Sequence, residues 1–153
     1  MRIQCTHTMS ELPAAPAAIF PLLCPVREAE WIPGWEATLL WSRSGHAEAG
    51  AVFSTPADPA PWIWHIVTHE ATTGRIRFSV TAPGSHLLDL ELALERAPMG
   101  SDLRWTYSLL ALEGAGAAFL ADYEAAFPAK MDLLERRLRH FLTTDAPLPL
   151  EVP

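Results

Sequence analysis

Six segments in the middle of the chain alternate apolar and polar residues with a period of two, and no gap between them can hold a helix. They read ATLLWSRS, AVFST, PWIWHIVTHE, GRIRFSVTA, HLLDLELALE and DLRWTYSLLAL, joined by turn-forming stretches such as PADPAP, TTG, PGS and APMGS. Parallel neighbours need a crossover of a dozen or more residues, so this spacing dictates an antiparallel meander. From Gly116 the period changes to 3.6. Leu120, Tyr123, Phe127, Met131, Leu134, Leu138 and Phe141 fall on one stripe, which predicts a C-terminal helix of about seven turns. A sheet with one apolar face and a helix with one apolar stripe bury both by packing together.

The last two strands have the clearest faces. Leu88, Leu90, Leu92 and Leu94 oppose Asp89, Glu91 and Glu95, while Leu103, Trp105, Tyr107 and Leu109 alternate with Arg104, Thr106 and Ser108. A slip of one residue would bury the charges, so this register is well specified. For PWIWHIVTHE the inward set is either Trp62, Trp64 and Ile66, or Ile63, His65, Val67 and His69. A three-residue Thr72-Thr73-Gly74 loop pairs even with even positions and sets the tryptophans beside Phe78 and Val80, which burial also favours; a four-residue loop would reverse the faces.

Ahead of the meander, MRIQCTHTM alternates weakly and reads as an opening strand. SELPAAPAAIFPLLCP predicts a short helix, interrupted by Pro21 and ended by Pro25, and VREAEW a second short turn. The bend EWIPGWEA then sets Trp31 and Trp35 on either side of Pro33-Gly34. In the final helix, Pro128 withholds a backbone bond from the carbonyl of Glu124 and should bend it. One domain is expected over residues 1–143, with a Pro-rich tail over 144–153.

Composition removes several function classes. Half of the 153 residues are apolar and 19% are charged, a globular profile. The net charge of −7 has no offsetting basic stripe, which argues against nucleic acid, and the RRLR run at Arg136–Arg139 reads as a solvated helix end. No apolar run approaches the ~20 residues needed for membrane insertion. Cys5 and Cys24 lack metal-type spacing, and the start has no apolar leader, so a cytoplasmic protein is expected.

His65 and His69 lie ~13 Å apart along a strand, too far for one metal ion. There is no GxSxG elbow, and the Gly114-Ala115-Gly116 run lacks the rest of a phosphate loop and reads as a helix-entry hinge. No metal and no cofactor are therefore expected.

A strand, two short helices, six antiparallel strands and one long final helix resembles the helix-grip fold of the START-like (SRPBCC) superfamily, to which birch-pollen-allergen-type and polyketide cyclase/dehydrase-like proteins belong. ELPAAPAAIFPLL, CPVREAEWIPGW and DLRWTYSLLALEGAGAAF carry the resemblance. It implies an α+β fold in which a curved antiparallel sheet of about seven strands wraps the C-terminal helix, with a cavity between them. On that reading Trp31, Trp35, Trp64, Phe78, Trp105, Tyr107, Tyr123 and Phe127 are candidate ligand-binding residues, with Trp31 or Trp35 at the mouth. The expected partner is a hydrophobic or aromatic small molecule held by a carrier or sensor, and homodimer formation is left open. The alternatives are a polyketide cyclase/dehydrase- or aromatase-like enzyme, and an interaction module resembling the heat-shock ATPase activators. The last would show a large apolar patch on the sheet.

Overall fold

The predicted meander forms, and the opening strand closes onto its far end. A computed structural model describes residues 1–150. Its strands are β1 (Arg2–Leu12), β2 (Thr38–Trp41), β3 (Val52–Thr55), β4 (Trp62–Glu70), β5 (Arg75–Ala82), β6 (His86–Ala97) and β7 (Gly100–Ala111). They make one curved sheet in the order β1-β7-β6-β5-β4-β3-β2, antiparallel throughout. Between β1 and β2 come helix α1 (Pro16–Ile19) and two 3-10 turns, Phe20–Leu23 and Arg27–Glu30. Helix α2 runs without a break over Gly114–Thr144 with Pro128 inside it, and Asp145 ends it in the left-handed conformation with its N–H on the Phe141 carbonyl. Residues 151–153 of the expected tail lie outside the described residues.

The alternation on β6 and β7 falls as the sequence dictates. Leu88, Leu90, Leu92 and Leu94 are buried with Leu103, Trp105, Tyr107 and Leu109 on the inner face. On the outer face Arg77 reaches across from β5 to Asp89, at 3.0 Å, and to Glu91. Each inward leucine contributes roughly 1.5–3 kcal/mol of burial, so the inner face alone outweighs the strand's charge pairs. The stripe of α2 closes the other side of the core through Leu120, Phe127, Met131, Leu138 and Phe141, with Tyr123 and Leu134 partly buried beside them.

Strand β4 departs from expectation in an instructive way. Its turn is the four-residue version, Ala71–Gly74, with Glu70 opposite Arg75. That loop alone would have turned the tryptophans outward. A bulge at Val67 adds one residue and restores the even pairing, so Trp64 faces Val80 and Ile66 faces Phe78. Trp62, Trp64 and Ile66 thus lie inward for a reason other than the loop length. The same bulge brings His69 onto the inner face, where its ring lies 4.9 Å from Phe20, while His65 stays exposed. The two histidines stand on opposite faces.

Two close contacts fix how α2 sits on the sheet. Gly116 lies against the turn before β6, where an added Cβ would come within 2.1 Å of the Ser85 carbonyl oxygen, so only glycine allows this approach. At the other end, Arg139 is far from a merely solvated cation. Its guanidinium donates to the backbone carbonyls of Ser10 and Glu11 and to Glu135, whose other oxygen bonds His7 at 2.8 Å. Glu11 sits at a β1 irregularity with φ of 54°.

Candidate ligand cavity

The Pro33-Gly34 bend is where the chain leaves the short helices and enters the sheet. Trp35 N–H closes the turn on the Ile32 carbonyl at 3.1 Å, with Gly34 at φ 79° in the position that demands a positive angle. Both flanking indoles are pinned backwards: Trp31 Nε1 donates to the Leu22 carbonyl at 2.9 Å and Trp35 Nε1 to the Pro25 carbonyl at 2.8 Å. Their fates differ. Trp31 is fully buried beneath the short helices, whereas Trp35 remains half-buried and forms part of a cavity wall.

That cavity has a volume of about 480 Å³ and lies between the concave face of the sheet and α2. Its sheet wall is aromatic. Trp64 stacks on Phe53 at 5.4 Å, meets Phe78 edge-on at 5.8 Å and Trp35 edge-on at 6.3 Å. Such offset and edge-on pairs hold large rings rigidly. Trp64 Nε1 is also tied to Thr55 Oγ1 at 2.9 Å, which keeps the ring from swinging. Trp62, Leu88, Leu90 and Trp105 extend this wall, and Leu133 and Leu134 of α2 complete it.

The polar groups are few and poorly partnered. Tyr107 is 5% exposed and lines the cavity, and its hydroxyl has no hydrogen-bond partner among the described residues. Burial raises its pKa well above the usual phenol value, with Tyr123 and Glu28 adding to the effect. Tyr123, 6.2 Å away between ring centroids, accepts a hydrogen bond from Lys130 Nζ at 3.2 Å, and burial lifts its pKa well above the usual phenol value. Lys130 as a residue is exposed, but its ammonium is turned in over the Tyr123 ring at 4.6 Å, and loss of hydration lowers its pKa.

Glu28 comes from the second 3-10 turn, whose backbone is set by its own N–H on Cys24 and by its carbonyl accepting from Ile32. Half-buried and without a cation beside it, its carboxyl has its pKa raised by desolvation to about 8. Arg137 lines the cavity two turns along α2 from Lys130 and forms no ion pair among the described residues.

No protein-family profile matches the chain, and no curated protein matches it in sequence. Solved structures do match. Ara h 8.0201 gives a TM-score of 0.70 at 13% identity, over 94% of this chain and 99% of its own. SA2116 of Staphylococcus aureus, a protein of unknown function, also gives 0.70, at 9% identity over 95% and 96% of the two chains. The chain has the helix-grip fold. DynU16, a protein in the dynemicin biosynthetic locus, shares it with a TM-score of 0.60 and 17% identity; 95% of this chain covers 48% of that one, about half its length. The seven-stranded curved sheet, the short helices after the first strand and the long final helix are the features of this architecture.

Within the grip, the structure brings together six of the residues singled out from sequence: Trp35, Trp64, Phe78, Trp105, Tyr107 and Tyr123 all line the cavity. Two stand apart. Trp31 is a core residue rather than a gate, because its indole N–H is spent on Leu22. Phe127 is a second layer, buried behind the wall and edge-on to Tyr107 at 5.2 Å. Sequence reasoning missed Glu28, Lys130 and Arg137. The last two carried a weak signal, standing seven residues apart beside the apolar stripe.

Proposed function

We propose that the protein binds a hydrophobic, aromatic small molecule inside the grip, as an intracellular carrier or sensor. The observation that carries this reading is the 480 Å³ cavity walled by Trp35, Phe53, Trp62, Trp64, Phe78 and Trp105. Small-molecule sites are typically ~300–1,000 Å³ and apolar, with a few placed polar groups. Here Tyr107, Tyr123 and Lys130 supply those groups. Among the described residues no helix is long and apolar enough to cross a membrane.

Titration with the neutral fluorophore N-phenyl-1-naphthylamine tests the reading. Saturable uptake of one probe per chain is expected, with quenching of tryptophan emission. Ala57→Trp, at a cavity-lining loop position, should block uptake while leaving the circular dichroism spectrum unchanged. Absence of saturable uptake by the unmodified protein would refute it.

A second reading, a polyketide cyclase/dehydrase- or aromatase-like enzyme, is supported by a carboxyl held neutral near a phenol, two groups able to pass protons to a carbonyl. Turnover of a poly-carbonyl substrate that stops in Glu28→Gln would favour it over a carrier. The interaction-module reading gains no such support, because the outer face of the sheet is broken up by the Arg77–Asp89–Glu91 cluster.

A further inference from the structure

The polar lining of the cavity is lopsided in hydrogen-bond chemistry, and this narrows the ligand class beyond the reading above, on which it rests. Tyr123 already accepts from Lys130, so its own O–H proton is left to donate. Tyr107, only 5% exposed, has no hydrogen-bond partner for its O–H among the described residues and faces the cavity. Thr55 accepts from Trp64 Nε1, which leaves its hydroxyl proton free as well. A carboxyl at Glu28 that keeps its proton at neutral pH adds another O–H. Above these stand the Lys130 ammonium and the Arg137 guanidinium, both on the cavity side of α2 and neither within 4 Å of a carboxylate among the described residues. The one other acidic group on the lining, Glu36, is exposed at the rim and pairs with neither cation.

Donors gathered around an apolar chamber need an acceptor, and two unpaired cations need a counter-charge. Among the described residues neither cation has a carboxylate partner. What sets these two apart from the surface cations is place: in a protein of net charge −7 both line one apolar cavity, and the Lys130 ammonium is turned in over Tyr123. We infer that the ligand is an aromatic anion: its rings occupy the Trp35–Trp64–Phe78 chamber, and an acid group such as a carboxylate sits at Lys130 and Arg137 with the Tyr107 and Tyr123 hydroxyls donating to it. Charge-assisted bonds of this kind are about twice as strong as neutral ones, and Arg presents a planar fork that suits a carboxylate.

The test compares 1-anilinonaphthalene-8-sulfonate with N-phenyl-1-naphthylamine, which share one aromatic skeleton with and without an acid group. At pH 7 the anionic probe should bind about ten-fold more tightly, at one per chain and in competition with the neutral probe. The double variant Lys130→Met, Arg137→Met should cost the anionic probe more than the neutral one, so that the two affinities fall within about two-fold of each other, and Lys130→Arg on the double-variant background should recover part of the preference. Equal affinity for the two probes, binding of the anion without competition, or an equal loss of both in the double variant would overturn the inference and leave the aromatic cavity standing. Binding of neither probe would overturn both.

Discussion

Glu28 offers a perturbation whose size follows from its surroundings. Desolvation moves its carboxyl from 4.5 to about 8 in the folded protein. At 1.36 kcal/mol for each pH unit between folded and unfolded values, the full difference is ~5 kcal/mol. Water can enter the cavity and relieve part of this, so about 2 kcal/mol is the working figure. The sign follows from proton counting. Below pH ~4.5 both states hold the proton and the residue has no effect. Between 4.5 and 8 the unfolded chain releases it while the folded chain keeps it, so stability falls as pH rises, and above ~8 the whole penalty is in force. Glu28→Gln removes the titration but keeps the shape. Urea unfolding monitored by tryptophan emission should show the two proteins equally stable at pH 4 and the variant more stable by about 2 kcal/mol at pH 9. Parallel pH profiles, or a variant less stable at pH 9, would show that Glu28 is ionised and paired in the folded protein, and the argument from burial would be wrong.

Three further outcomes can be checked. Gly116→Ala should destabilise by about 2 kcal/mol or more despite the ~1 kcal/mol helix-propensity gain, because its Cβ would meet the Ser85 carbonyl; a stabilised variant in thermal melts would contradict this. Pro128→Ala returns an N–H to the Glu124 carbonyl on an exposed face of α2 and should stabilise by up to ~3 kcal/mol. It should also weaken uptake of N-phenyl-1-naphthylamine by straightening the helix towards the sheet; unchanged affinity in a stabilised variant would separate Pro128 from binding. Arg139→Ala leaves the Ser10 and Glu11 carbonyls without their donor and should speed hydrogen exchange across β1 while sparing β4–β6, at a cost of about 1–2 kcal/mol.

Much of the fold was legible because its burial is periodic. The leucines of β6 and the stripe from Leu120 to Phe141 each repeat along one face, and a repeated signal survives local irregularity. Five aromatic wall residues, Trp64, Phe78, Trp105, Tyr107 and Tyr123, followed from strand and helix faces, and Trp35 was marked by its Pro-Gly turn. Polar residues outside any period were not legible. Glu28 lies in a four-residue 3-10 turn, REAE, whose composition is that of any solvent-facing segment, and only the packing around it turns a surface-like glutamate into a neutral acid. Arg137 and Arg139 differ by two residues in one basic run, yet one lines the cavity and the other holds β1. Trp31 and Trp35 look equivalent around their turn, and which one reaches the cavity depends on which carbonyl each indole finds.

The bulge in β4 has a consequence for how such a strand can change over time. The four-residue turn and the extra residue at Val67 are each one step out of phase, and together they cancel. Deleting a residue from the turn alone, or Val67 alone, would swap the inner and outer faces of part of the strand and expose an indole or bury a histidine. Deleting both would leave Trp62, Trp64 and Ile66 where they are, with the pairing now continuous. The two sites therefore behave like a mutation and its suppressor, separated by a few residues and linked only by parity. A single insertion or deletion inverts the faces and a paired one does not, so length variation in this hairpin should come in correlated pairs.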